Sequence, residues 1–396
     1  MPPDDSNNTA AKLRQQLAGQ LAAGGWLRTA EWRAAVEHVP RHEFLPRFYT
    51  EALSPGVTTW TPISADLVGG DEWLTIAYSD QTLVTQFDEH PIDWSEPRPV
   101  SNASPTSSST LPSLVVRMLE DLDVHDDMTV LELGTGTGYS TGLLCERLDD
   151  KNVTSVETDH DVADRARIAL AECGYYPRLV TGDGQLGHPG PAPYDRTIAT
   201  YGVRHIPSAW VEQTRPGGLI VTTLRGWMRS LGLVRLTTEG NGKAEGPFIA
   251  ADPSFMIARQ QSAPASMGMI PAPDQGETRE TPFGRELLSM PDSGFVAQLA
   301  MPNARYFTMP DESGVEHTYV LDAENDSYAV LTERGPGEWS VRQGGPSALW
   351  DNLEQSLHLW HAADSPPATG FGVTVTPREQ RVWLGSSDGP SWSLPG

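Results

Sequence analysis

The sequence predicts an α/β protein built on a parallel, doubly wound sheet, with helical elements before it and an α+β, β-rich accessory domain after it. Three observations predict this. Thr129 to Leu144 reads TVLELGTGTGYSTGLL: an apolar run, three alternate glycines and the start of a helical pattern. Short apolar runs then alternate with helical patterns as far as about residue 223, and such alternation implies a parallel sheet with ligands at its carboxyl edge. Past Glu239 the chain changes to strand-like runs separated by turn residues, with one helical stretch.

Residues 1–8 are polar and are expected to be disordered, with Thr9 a candidate cap for a helix carrying Leu13, Leu17 and Leu21 at i, i+4 and i+8. Gly24-Gly25 ends it. A second helix from about Thr29 places Trp32, Ala35 and Val36 on one face and stops before Pro40. The run VPRHEFLPRFY and an irregular region over 54–62 follow, and 73–78 (WLTIAY) reads as a strand leading to Ser79-Asp80. Residues 88–109, with prolines at 91, 97, 99 and 105, read as a polar loop of the length that marks function or disorder. Pro112 suits the first turn of a helix whose apolar stripe is Leu114, Val115, Met118, Leu119 and Leu122. The hydroxyls of Ser108, Ser109 and Thr110 are therefore expected at a helix N-terminus, where free N–H groups favour a carboxylate. Either one of them caps the helix or together they bind substrate.

In the centre, Val130–Leu133 reads as a buried strand and 140–147 as the following helix. Gly134, Gly136 and Gly138 permit the sharp turn between them. A dinucleotide fingerprint would need glycine at 139, where Tyr139 stands, which argues against a standard NAD site. Helix 162–172, strand Arg178–Thr181, the turn Gly182-Asp183-Gly184, strand 195–200, helix 208–214 and strand 219–223 continue the alternation. Glu132, Glu157, Asp183 and the 201–205 loop all fall at the carboxyl edge. Glu157 closes a strand about 20 residues past the glycines. Farther on, the Gly/Asn stretch 239–246 and the polar region 260–280 read as linker. Strand-like segments at 294–300, 318–321, 328–331, 339–342, 372–376 and 381–384, and a helical pattern over 348–361, form the accessory domain. The expected division is 1–110 for N-terminal helices and substrate-side loops, 111–239 for the core, 240–280 for the linker and 281–396 for the accessory domain.

The 396 residues carry a formal net charge of −24 from 28 basic and 52 acidic side chains, a surface that repels phosphate backbones and anionic membranes. No nucleic acid or membrane partner is expected. The two cysteines, Cys145 and Cys173, fall in helical patterns and act as small apolar residues rather than a disulfide scaffold. The first residues lack a basic and apolar leader pattern, so a cytoplasmic protein is expected, and a monomer. Other chemistries fit poorly. His38 and His42 are separated by Pro40, which disrupts the helix a zinc pair would need. GTGTGYST lacks the P-loop lysine. Ser109 and His205 have no G-x-S-x-G elbow to make a hydrolase pair.

Glu132 at a strand end followed by glycine at every second position resembles the first motif of class I S-adenosylmethionine-dependent methyltransferases. The ordered set LRQQLAGQL, VPRHEFLP, AYSDQTL, a serine/threonine-plus-proline segment before a helix, VLELGTGTGYSTGLL, VETD, TGDG, PYDR and RPGG, from about Leu13 to Leu236, resembles the protein-L-isoaspartate O-methyltransferases. The resemblance implies S-adenosylmethionine as cofactor, leaving as S-adenosylhomocysteine, and cofactor contacts from Glu132, Gly134, Thr135, Gly136, Thr137, Gly138, Glu157, Thr158, Gly182, Asp183 and Gly184. It implies Thr110, with Ser108 and Ser109, at the catalytic position, and substrate contacts from Asp80, Leu111, Arg204 and His205. Arg204 is the expected cation for an acidic peptide. Where the family has serine followed by glutamine or alanine and then proline, this chain has Thr110-Leu111-Pro112. The length beyond the core resembles the long versions that accompany peptide-maturation systems with ATP-grasp ligases or lanthionine synthetases. The expected reaction is methylation of an aspartate carboxylate in a ribosomally made precursor peptide, leading to aspartimide or isoaspartate. General isoaspartate repair is the alternative, and a degenerate fold that only binds peptide is the alternative of another class.

Overall fold

A computed structural model of the chain describes residues 3–54, 57–88, 93–251, 255–267, 270–272, 275–322 and 324–395. The chain forms two compact units, Met1–Thr200 with Glu212–Val221, and Tyr201–Val211 with Thr222–Gly396.

The first unit opens with α1 (Pro3–Ala23) and α2 (Ala30–His38). Helix α1 starts at Pro3, a residue suited to a first turn, so the stretch expected to be disordered is largely helical and Thr9 lies inside the helix instead of capping it. Leu17, Ala18 and Leu21 bury its inner face. Thr29 caps α2 by accepting the Trp32 N–H, and Trp32, Ala35 and Val36 are buried as their spacing requires. Next come β1 (Arg47–Ser54), β2 (Val57–Ser64), α3 (Ala65–Val68), α4 (Gly70–Ala77), β3 (Leu83–Phe87), β4 (Val100–Ser101) and β5 (Pro105–Ser109). The five strands form an antiparallel sheet in the order β4-β2-β1-β3-β5. Two expectations fail here. The region read as irregular contains β2, and 73–78 lies mostly in helix α4, where Leu74 and Ala77 are buried at helical spacing and the Trp73 indole donates to the Leu45 carbonyl. The long polar loop contains β4 and β5; Pro91 lies outside the described residues.

The α/β core follows: α5 (Pro112–Asp121), β6 (Val130–Leu133), α6 (Tyr139–Leu148), β7 (Val153–Glu157), α7 (His160–Glu172), β8 (Arg178–Thr181), β9 (Tyr194–Val203), α8 (Ser208–Gln213) and β10 (Thr214–Arg225), of which 201–203 of β9, 208–211 of α8 and 222–225 of β10 are assigned to the second unit. Its strands run in the order β10-β9-β6-β7-β8, with β6 parallel to both β7 and β9. All residues of β6 are buried, as a strand covered on both faces requires. The connection reverses direction between β6 and β9, which places a crevice at the carboxyl end of β6. A Cβ on Gly142 of α6 would lie 3.2 Å from the Phe44 ring and 3.3 Å from Val39. That close approach packs the N-terminal segment onto the core, and no unit boundary falls near residue 110. Cys145 is buried and Cys173 half-buried; burial pushes both thiols up, Cys173 to about 11.

The second unit contains β11 (Ser230–Gly240), β12 (Lys243–Ala251), β13 (Glu277–Thr281), α9 (Pro291–Ala300), β14 (Ala304–Pro310), β15 (Glu316–Asp322), β16 (Ser327–Gly335), β17 (Glu338–Gly344), α10 (Leu349–Ala362), β18 (Phe371–Val375), β19 (Gln380–Leu384) and β20 (Ser391–Ser393). Strands run β11-β12-β18-β19-β20 in one sheet and β13-β17-β16-β15-β14 in an antiparallel second. The stretch 239–246, expected as linker, is a hairpin. Gly240 pairs with Lys243 across Asn241 (φ 53°) and Gly242 (φ 72°), the two positive values that a two-residue hairpin turn demands. The expected strand at 294–300 is α9, buried almost all round through Phe295, Val296, Ala297, Gln298 and Leu299. Helix α10 matches its predicted pattern and buries Leu349, Leu353, Leu357 and Trp360. Among the described residues no helix is long and apolar enough to cross a membrane.

Candidate active site

Gly134, Gly136 and Gly138 all have positive φ, at 93°, 55° and 94°, so a side chain at any of them would be strained. The loop leaves β6 with the Gly134 N–H donating to Val156 at 2.8 Å, and Gly138 caps α6. Thr200 of β9 donates its hydroxyl to the Leu133 and Gly134 carbonyls at 3.2 and 2.5 Å. Glu157, at the end of β7, accepts the Gly136 N–H at 2.9 Å on one carboxylate oxygen and the Asp159 N–H at 3.1 Å on the other. Each oxygen keeps a lone pair for a further donor.

Glu132 behaves differently from the expectation that it lines the cofactor. It is 0% exposed, and its carboxylate accepts Ser140 at 2.5 Å, Thr141 at 2.5 Å and Ser155 at 2.7 Å. Burial raises its pKa, and the three hydroxyl bonds oppose that shift. It therefore ties α6 and β7 together beneath the loop. Thr135 joins the same brace, its hydroxyl 2.6 Å from that of Ser155. On the neighbouring strand end, Gly182 donates to the Glu157 carbonyl at 2.8 Å and Asp183 accepts the Gln185 N–H at 2.9 Å. A Cβ on Gly182 would meet nothing within 4 Å, Gly184 is buried, Thr137 is half-buried and Thr158 is exposed.

Ser108 and Ser109 do not sit at the helix N-terminus. They end β5, opposite Val84 and Leu83, because the alternating run pairs with β3 before the chain turns. Thr110 follows the strand, and Leu111, the residue before α5, makes no side-chain cap. The cap comes from outside: Asp80 accepts the Ser113 N–H at 2.8 Å, and Thr82 accepts that of Leu111 at 3.2 Å. Asp80→Ala should lower the unfolding free energy by about 1 kcal/mol in a denaturant titration, the usual loss for a helix cap. A Cβ on Gly136 would lie 3.5 Å from the Ser108 carbonyl oxygen, so the serine strand and the glycine loop meet.

Arg41, which the sequence reading passed over, organises this corner. It is 0% exposed and donates to the carbonyls of Ala77 (2.7 Å), Ser79 (2.8 Å), Gln81 (3.2 Å) and Thr110 (3.4 Å). Burial lowers its pKa to about 10, which leaves it charged at neutral pH. The one signal in the sequence was an arginine set among apolar residues in VPRHEFLP.

Arg204 and His205 belong to the second unit. The Arg204 guanidinium stacks 3.7 Å from the Trp227 ring centroid, donates to Asn303 and to the Pro302 carbonyl at 3.3 Å, and lies 3.9 Å from Glu324. It is thus committed to partners within its own unit, contrary to the expectation of a cation open to substrate. Burial, and then the charge of Arg204, lower the pKa of His205.

Residues 77–246 match the family model of protein-L-isoaspartate(D-aspartate) O-methyltransferase. The protein-L-isoaspartate O-methyltransferase of Methanopyrus kandleri is 30% identical over 233 residues, 58% of this chain and 84% of that one. Protein-L-isoaspartate O-methyltransferase 1 of Rhodopseudomonas palustris is 29% identical over 239 residues, 60% of this chain and 79% of that one. A solved protein-L-isoaspartate O-methyltransferase superposes with a TM-score of 0.52 at 19% identity, over 94% of this chain and all of that one, and so shares the fold. The chain belongs to the protein-L-isoaspartate O-methyltransferase family, S-adenosylmethionine-dependent carboxyl methyltransferases of the class I fold.

Proposed function

We propose that the acceptor is the side-chain carboxylate of an aspartate in a ribosomally made precursor peptide, carried through its methyl ester to aspartimide or isoaspartate. The observation that supports this reading is Thr110-Leu111, a departure from the family's serine and glutamine or alanine, at the end of the strand that abuts the glycine loop. General repair of isoaspartyl peptides is the second reading, favoured by the names of the relatives.

The residues present fit the cofactor: three positive-φ glycines, open space at Gly182, and carboxylates at two adjacent strand ends. Glu157 would accept from the ribose hydroxyls and Asp183 from the adenine amino group. When bound, S-adenosylmethionine supplies a methyl group on a sulfonium. Thr110 would donate its hydroxyl to one oxygen of the acceptor carboxylate and leave the other oxygen facing the glycine loop. No general base is needed, because an aspartate with a pKa of about 3.9 is ionised at neutral pH. Positioning is the main contribution of the protein. In the ester, the next backbone nitrogen of the peptide attacks the carbonyl and loses its proton, and methanol leaves with the ring closed.

Thr110→Val, which keeps the shape and removes the hydroxyl, should lower kcat/KM for the peptide by about 10- to 100-fold, somewhat less than loss of a full oxyanion donor. Thr110→Ser should stay near the parent. Mass spectrometry after incubation with S-adenosylmethionine tests the acceptor class, using a generic isoaspartyl peptide and the precursor peptide encoded nearest the gene. Methyl addition or water loss on the precursor alone supports the first reading. Turnover of the generic peptide supports repair.

A further inference from the structure

We propose that Arg41 is the cation that lets this acidic chain hold an anionic acceptor at Thr110, acting as a positioning residue through the loop it grips. This rests on the carboxylate acceptor and not on which peptide carries it. Arg41 is fully buried, yet among the described residues no carboxylate lies within ion-pair distance of it, and its Nε has no partner. Its four partners are backbone carbonyls, which satisfy four of its five N–H donors without cancelling its charge. Asp80, the carboxylate whose charge partly opposes the effect of burial on Arg41, is exposed and accepts the Ser113 N–H. A buried charge without a counter-ion is among the least favourable things a fold can hold. A side-chain amide has two N–H donors and could hold only two of these carbonyls, whereas the guanidinium holds all four and brings a full charge with them.

The position of that charge gives it a second role. One arm reaches the Thr110 carbonyl and the others fix Ser79 and Gln81 on either side of Asp80. A carboxylate bonded to the Thr110 hydroxyl would lie within about 10 Å of the guanidinium, a separation at which exposed charges are screened and buried ones much less so. The rigid fork also holds the 77–81 segment and Thr110 in one register, which lysine would do less well. With Arg204 engaged in the second unit, Arg41 takes the electrostatic role expected of it.

The test uses a peptide that the wild-type protein methylates and an analogue whose target carboxylate is an amide. Wild-type protein should bind the carboxylate form at least about fivefold more tightly, measured by competitive inhibition. In Arg41→Gln that preference should vanish, with acceptor KM raised tenfold or more, while calorimetry finds S-adenosylmethionine affinity within threefold of the parent. Arg41→Lys should restore the preference in part. Equal binding of the two peptides by wild-type protein overturns the proposal even if every Arg41 variant fails to fold. Parallel loss of cofactor affinity, acceptor affinity and melting temperature in both variants also overturns it, by marking Arg41 as scaffold only. If wild-type protein methylates no peptide, the acceptor reading falls and this proposal with it.

Discussion

Glu157→Gln should weaken S-adenosylmethionine binding by about 100-fold or more, read by calorimetry. The carboxylate already accepts two backbone N–H groups, from Gly136 and Asp159, and two ribose hydroxyls would bring it to four donors. An amide has one acceptor oxygen, and its NH2 would face an N–H of the loop. Hydrogen bonds to a charged group contribute about 1.5–3 kcal/mol each, so loss of one or two accounts for that factor. The loop also loses its tether at Gly136, which should add to the loss by leaving the glycines less ordered before binding. An affinity within threefold of the parent would remove Glu157 from the ribose position.

Glu132→Ala should lower folding stability by roughly 3–5 kcal/mol, the range for breaking a buried charged network. It would leave the hydroxyls of Ser140, Thr141 and Ser155 without their shared acceptor and open a void beneath the glycine loop. Glu132→Gln should recover part of that, since hydroxyls can turn to accept from the amide. The pH dependence has a definite sign. Burial raises the pKa of Glu132 in the folded state, so its proton-linked stabilisation is complete below the unfolded pKa of about 4.3 and is lost as pH rises through the folded value. The glutamine variant has no such loss. Its deficit relative to wild type, measured by urea titration, should therefore be larger at pH 5 than at pH 8; a deficit that grows with pH would contradict the assignment.

Where the sequence carried a local steric demand, the site was legible. Three glycines at alternate positions adopt positive φ, as their spacing suggests, and the acid at the end of the following strand, expected from the methyltransferase motif the sequence resembles, bonds back to the loop at Gly136. The N-terminal sheet was less legible because its signals are short. WLTIAY is rich in residues favoured in strands, but with Asp71 and Glu72 in the first turn it forms a helix burying Leu74 and Ala77, a period that six residues cannot distinguish. The hairpin at Asn241-Gly242 was legible and misread: Asn-Gly between apolar runs is a strong turn signal, whereas composition alone suggested a linker. Arg41 and Asp80 were not legible as a pair. Their partners are backbone groups 33 to 69 residues away, and nothing in local sequence records which carbonyls a buried guanidinium will meet. Arg204 was misassigned for the converse reason, since its stacking on Trp227 and contact with Asn303 depend on segments distant in the chain.

The state of the two cysteines has a practical consequence. The thiolate is the reactive form, and both Cys145 and Cys173 are held as thiols by burial. Maleimide at neutral pH should therefore leave the folded protein almost unlabelled. A cysteine introduced at an exposed position such as Thr158 or Gln81 would be the dominant reactive sulfur. A fluorophore placed there could report arrival of the cofactor or the peptide at the glycine loop without prior removal of either native residue.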